Sequence, residues 1–180
     1  KTKVQKKSKV LGEIKEVFII LKDNTLLLYL IMLALVTTLL SLPTRTLFAP
    51  YASELLSGGA LEVGLMLASI GGGALIGTLV AASIPQKTKK GKFILLTSLL
   101  SGLSILVLGF SSITIFSIFL CFFLGLGDAG RRSLNPSMII EKTPNEYRGR
   151  VMGFYAMSFG FIPLGAIPMG IISDKYRVNI

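Results

Sequence analysis

Apolar residues fill five long stretches of this 180-residue chain, at about 25–47, 62–84, 93–110, 113–142 and 150–172. None of the five alternates polar with apolar residues at the period of two that a half-buried strand requires. A helix rises about 1.5 Å per residue, so about 20 apolar residues cross a hydrocarbon core of about 30 Å. Each stretch meets or approaches that length. The pattern predicts an all-α, polytopic transmembrane helical bundle over residues 25–180, preceded by a polar segment over residues 1–24.

The charges between the stretches orient the bundle. Seven lysines precede the first stretch, four lie between the second and third (Lys87, Lys89, Lys90, Lys92), and Lys142, Arg148 and Arg150 lie between the fourth and fifth. The opposite side carries only Lys175 and Arg177. Basic residues accumulate in cytoplasmic loops, so the N-terminus and the lysine- and arginine-rich loops are expected in the cytoplasm. The net charge of +10 then reflects topology and attraction to anionic lipid. Nucleic acid is not expected as a partner, because the basic N-terminal arm lacks interleaved aromatics.

Composition narrows the function classes. A mean hydropathy of +0.72 with 52% hydrophobic residues exceeds that of an ordinary soluble domain. The absence of histidine removes Ser-His triads, His-metal sites and His proton relays, and the single cysteine, Cys121, supports neither a disulfide framework nor a thiolate metal cluster. Carboxylates are too sparse for a catalytic pair, and no Gly-x-x-x-x-Gly-Lys-Ser/Thr loop occurs. The chain is therefore not expected to be an enzyme, to hold a cofactor or metal, or to hydrolyse ATP.

Within the first segment, Leu11, Ile14, Phe18 and Leu21 recur at helical spacing among Glu13, Lys15, Glu16 and Lys22. Two arrangements fit: a short amphipathic helix on the cytoplasmic interface, or an early start to the first span. Asn24 is the expected N-cap of that span, which carries Pro43 and is expected to stop near Pro50. In the second stretch Gly73 and Gly77 share one helix face and permit close approach of a neighbouring helix. The fifth contains Pro163 and Pro168, which remove backbone donors and give the helix places to bend. The chain starts at Lys1 without methionine and stops where a further span could begin, so it is expected to be a piece of a longer protein.

The fourth stretch carries the polar constellation. Asp128 lies about 22 Å inward from Ile113 at helical rise, with Arg131, Arg132 and Asn135 following at three, four and seven residues. A charge at the bilayer centre costs about 2.5–3.5 kcal/mol on insertion scales, and these spacings supply partners on one side of a helix. Three roles fit. The stripe lines a solute path, with Asp128 exchanging a proton and Arg131, Arg132 and Asn135 contacting polar or anionic groups; or Asp128 and an arginine lock helix packing; or the arginines end the span at the headgroups. Arg45, near the outer end of the first span, is a weaker candidate for the path.

Two cytoplasmic loops carry a resemblance. Gly77, Thr78 and Leu79, followed after a short stretch by Lys87-Thr88-Lys89-Lys90-Gly91-Lys92, resemble the degenerate second-half copy of the loop motif of the major facilitator superfamily. Pro144-Asn145-Glu146-Tyr147-Arg148-Gly149-Arg150-Val151-Met152-Gly153 resembles that superfamily's loop between the fourth and fifth helices of a half. The run from Asn145 to Asp174 is similar to bacterial drug and siderophore exporters of the macrolide-efflux and enterobactin-exporter type.

The resemblance covers essentially the whole chain and implies a linker plus helices seven to eleven of twelve, with the N-terminal bundle and the last helix missing. It further implies secondary active export of a small amphipathic solute by alternating access in a bacterial plasma membrane, coupled to protons, with the loop residues serving a cytoplasmic gate. The Asp128, Arg131 and Arg132 cluster is not part of that implied pattern and rests on its own physics. The alternative is a non-transporting membrane subunit that packs on a partner.

Overall fold

A computed structural model describes residues 16–41, 47–54, 56, 58–85, 90–161, 163 and 167. Every regular element among them is helical: α1 (Glu16–Asp23), α2 (Thr25–Ser41), α3 (Phe48–Glu54), α4 (Ala60–Ala82), α5 (Lys90–Leu108), α6 (Thr114–Lys142), a 3-10 turn (Asn145–Tyr147) and α7 (Arg148–Gly160). At helical rise α4 measures about 33 Å, α5 about 27 Å and α6 about 42 Å. Among the described residues, α4, α5 and α6 are each long and apolar enough to cross a membrane, and α1 with α2 form a fourth candidate, bent by 114°. The remainder of the fifth apolar stretch, with Pro168, and the outer end of the first, with Pro43, lie outside the described residues.

The chain divides into two compact units, residues 45–136 and residues 1–44 with 137–180. In the first, α4 and α5 bury small and polar residues together with a few large apolar ones, and leave many leucines exposed. The buried face of α4 is Met66, Ile70, Gly73, Gly77 and Ala81, and that of α5 is Ile94, Thr97, Ser101, Ser104 and Leu108. Leu65, Leu75 and Leu79 of α4 and Leu95, Leu99, Leu103 and Leu106 of α5 are exposed. A protein surrounded by lipid has no hydrophobic drive to bury leucine, and close packing of small residues holds its helices together.

Glycines set the spacing. A Cβ at Gly73 or Gly77 would fall within 3.0 Å of the backbone of Phe122 or Leu126, and one at Gly125 within 3.0 Å of Ile70. On another side of α6, a Cβ at Gly127 would meet the Thr97 carbonyl oxygen at 2.5 Å, and one at Gly130 would meet Thr97 Cγ2 at 3.1 Å. Thus α6 lies in backbone contact with α4 along one face and with α5 along another. Ser69 Oγ donates to the Ile118 carbonyl at 2.7 Å, a further link between α4 and α6.

Pro50, expected as a stop, instead occupies the first turn of α3. N–H groups there have no intrahelical acceptor, so proline loses no hydrogen bond. This short helix seats Phe48 in a cluster with Met66, Ile70, Leu108, Leu120, Cys121 and Leu124. Its Tyr51 hydroxyl lies 2.8 Å from Ser117 Oγ, 2.7 Å from the Ser111 carbonyl oxygen and 3.1 Å from that of Leu108, fastening the turn between α5 and α6.

In the other unit, Asn24 Oδ1 accepts from the Leu27 N–H at 3.3 Å and caps α2 at the bend. Val17 and Leu21 of α1 are buried, and Phe18 packs edge-on against Phe154 with ring centroids 5.5 Å apart. Helices α2 and α7 pack together, with Leu27, Leu30, Ile31 and Ala34 buried on α2 and Val151, Tyr155 and Ser158 buried on α7. Residues Lys1–Lys15 lie outside the described residues.

Candidate functional site

One stripe of α6, spaced by three and four residues, runs Ser117, Cys121, Leu124, Asp128, Arg131, Asn135, and every member is buried. Its first half joins the apolar cluster under α3; its second half is ionic and amide. The changeover falls near the middle of the helix, because Asp128 is the fifteenth of 29 residues. Asp128 is 4% exposed, Arg131 3% and Asn135 0%.

The carboxylate of Asp128 is shared. Arg131 Nη2 donates to Oδ1 at 2.7 Å and Arg132 Nη2 donates to Oδ2 at 2.6 Å. Spacings of three and four residues bring both guanidiniums back over one helical turn. The two arginines differ in surroundings: the side chain of Arg132 is 37% exposed and that of Arg131 is 3%. The three groups together carry one net positive charge. Arg131 Nε is buried without a hydrogen-bond partner among the described residues.

Helix α6 does not end at the arginines. It continues for ten residues to Lys142. Pro136 sits inside it and supplies no N–H to the carbonyl of Arg132, so the backbone is loosened one turn after the ionic cluster.

A cleft of about 250 Å³ opens beside the cluster, lined by Ala74 and Thr78 of α4 and by Gly125, Asp128, Ala129, Arg132 and Ser133 of α6. The small side chains that permit close helix packing also leave this space. The cleft is lined by one guanidinium, one carboxylate and two hydroxyls among small apolar side chains, a surface suited to holding a polar head without covalent chemistry.

The loop residues have separate surroundings. Arg148 Nε donates to the carbonyls of Ile140 at 3.1 Å and Thr143 at 3.3 Å, so it caps the C-terminus of α6, where a cation also complements the helix dipole. Pro144 ends that helix, and Arg150 pairs with Glu16 of α1 while lying 5.7 Å from the Tyr147 ring centroid. Gly149 and Gly153 are helical, and a Cβ at either would meet nothing within 4 Å, so neither serves a tight turn. Lys90 and Gly91 form the first turn of α5, and Gly77 serves helix contact with Leu126. Arg45 and Lys89 lie outside the described residues.

Two features escape a reading of the sequence. The Tyr51, Ser111 and Ser117 hydroxyl cluster joins residues 66 positions apart and leaves no local signal. The packing role of Gly125, Gly127 and Gly130 does leave one, since small residues flank the polar stripe on both sides.

A family model described as Major Facilitator Superfamily matches residues 2–168. The Staphyloferrin A transporter of Staphylococcus aureus (strain NCTC 8325 / PS 47) is 30% identical over 143 residues, covering 79% of this chain and 34% of that protein. Macrolide efflux protein A of Streptococcus pyogenes is 24% identical over 170 residues, covering 93% of this chain and 42% of that protein. The chain thus spans less than half the length of these curated relatives. No solved structure matches it.

Proposed function

This chain belongs to the Major Facilitator Superfamily, and from that premise we propose that it forms most of one helical half of a secondary transporter that exports a small amphipathic solute, such as a drug or siderophore, in exchange for protons. Its partners in this reading are the solute, the proton, the lipid bilayer and an N-terminal bundle supplied by the rest of the same protein. Two bundles rocking about a midplane site give alternating access. The relatives named for staphyloferrin A transport and for macrolide efflux support the solute class.

The observation that carries the reading is the buried Asp128 held by two arginines beside a cleft. A charge deep in an apolar span is costly and marks an ion or substrate pathway unless packing alone explains it. Packing explains Arg131, which is enclosed, but not Arg132, which opens to the cleft. An ionised Asp128 holds both guanidiniums. Protonation removes the charge that holds them and releases Arg132 first, because it is the one in contact with open space. Proton occupancy and cleft geometry are thereby linked.

The setting is a bacterial plasma membrane, with the basic loops cytoplasmic. Cysteines placed at Lys89 and Gly59 in a Cys121-free protein test the orientation: an impermeant thiol reagent on intact cells is expected to label position 59 and not 89. The transport reading is tested with the full-length protein in vesicles, using fluorescent amphipathic solutes of positive, neutral and negative charge. An imposed proton gradient is expected to drive saturable flux of at least one, and a protonophore to stop it. Flux indifferent to the gradient would contradict the coupling, and no flux of any solute would contradict the transport.

A further inference from the structure

We propose that the cleft between α4 and α6 is an anion subsite, in which Arg132 takes a single carboxylate- or phosphate-type group of the solute. The proposal deepens the transporter reading and rests on it for the word solute, but not on the coupling role of Asp128 or on the direction of transport.

Charge balance gives the sign. One carboxylate stands against two guanidiniums, and both of its oxygens are engaged, one by each arginine. The cluster therefore presents a net positive charge to whatever occupies the cleft. Arg132 is the member that delivers it, since it lines the cleft while Arg131 does not. Arg132 spends one Nη2 on Asp128, and its remaining N–H groups make no other hydrogen bond among the described residues. A guanidinium carries five donors in a planar fork, a shape that matches the paired oxygens of a carboxylate or phosphate.

The rest of the lining is Asp128, whose two oxygens are both held by arginines, with two hydroxyl residues and three small apolar ones. Ser133, one residue beyond Arg132, makes no hydrogen bond within the protein among the described residues, and Thr78 spends its proton on the Ala74 carbonyl at 2.8 Å. Ser133 therefore has a proton to donate at the cleft wall, whereas Thr78 adds polar surface there but no free donor. Ala74, Gly125 and Ala129 supply the space and the apolar surface. A volume of about 250 Å³ holds one head group and the start of an apolar body, not a whole drug-sized molecule, whose sites run to about 300–1,000 Å³. This is a subsite for one end of the solute.

The test uses the purified full-length protein in phosphatidylcholine nanodiscs and two fluorescent probes, dansylphenylalanine and its neutral amide. The wild type is expected to bind the carboxylate at least about tenfold more tightly than the amide, the scale of one charge-assisted hydrogen bond. Arg132→Gln, partly exposed and so tolerated by the fold, is expected to bring the ratio near one, and Arg132→Lys to keep part of it. Ala129→Leu fills the cleft without altering charge and is expected to weaken both probes alike. Equal affinity for the two probes in the wild type, no saturable binding of either, or a preference that survives Arg132→Gln would overturn the proposal. Adding phosphatidylglycerol separates the two sources of an anion: loss of probe from the wild type in proportion to that lipid, by an amount that matches Arg132→Gln, would assign the site to lipid headgroups and overturn the solute reading. Binding that follows this pattern in a protein without driven flux would leave the subsite standing and remove the transport proposal alone.

Discussion

Asp128 holds two guanidiniums in different surroundings, and the difference sets what each substitution does. Arg131→Gln removes a charged donor from an enclosed position and is expected to cost about 1.5–3 kcal/mol, the range for a hydrogen bond to a charged group. Arg132→Gln removes a charge that solvent or a cavity already screens and is expected to cost under about 1 kcal/mol. Thermal unfolding of the two variants in the same detergent checks the order, and equal losses would mean that the cleft does not screen Arg132. The partners at these positions were legible in the sequence, because spacings of three and four residues return to one helix face. The unequal exposure was not, since it depends on where α4 runs beside α6 at Ala74 and Thr78.

At the scale of elements, close approach of backbones sets the spacing of α4, α5 and α6. Gly125→Ala places a Cβ within 3.0 Å of the Ile70 backbone, and neither helix can yield by turning a side chain. It is expected to destabilise by about 1–3 kcal/mol, the usual cost of overpacking. Gly102→Ala meets nothing within 4 Å and is expected to be neutral or to stabilise by up to about 1 kcal/mol through helix propensity. A thermal shift of the same sign in both variants would contradict the packing described. The helical class of the fold was legible because stretches of about 20 apolar residues admit little else in a bilayer. Other elements were not. The bend at Asn24 separates α1 from α2, yet the spacing of Phe18 and Leu21 fits a continuous helix equally well. Helix α3 was hidden because proline marks a helix stop and a helix first turn alike, and only the fold distinguishes them.

At the scale of the molecule, the chain supplies less than half the length of its relatives, and the proposed cycle needs the other bundle. Charge at the cleft also constrains that cycle. A proton on Asp128 raises the positive charge beside Arg132, so proton and anion favour each other by reciprocal linkage. Exchange of one for the other then requires that the doubly loaded form be the one that does not cross. In the proposed cycle Asp128 carries the proton, and a variant with a permanently neutral side chain there separates its two halves. Asp128→Asn in the full-length protein leaves an acceptor oxygen but no titrating group, and pairing it with Arg131→Gln restores the local charge balance. In reconstituted vesicles both variants are expected to exchange solute across the membrane down its gradient while losing uphill flux driven by protons. Uphill, proton-driven flux at the wild-type rate in a folded Asp128→Asn protein would contradict the account and place the coupling in the other bundle.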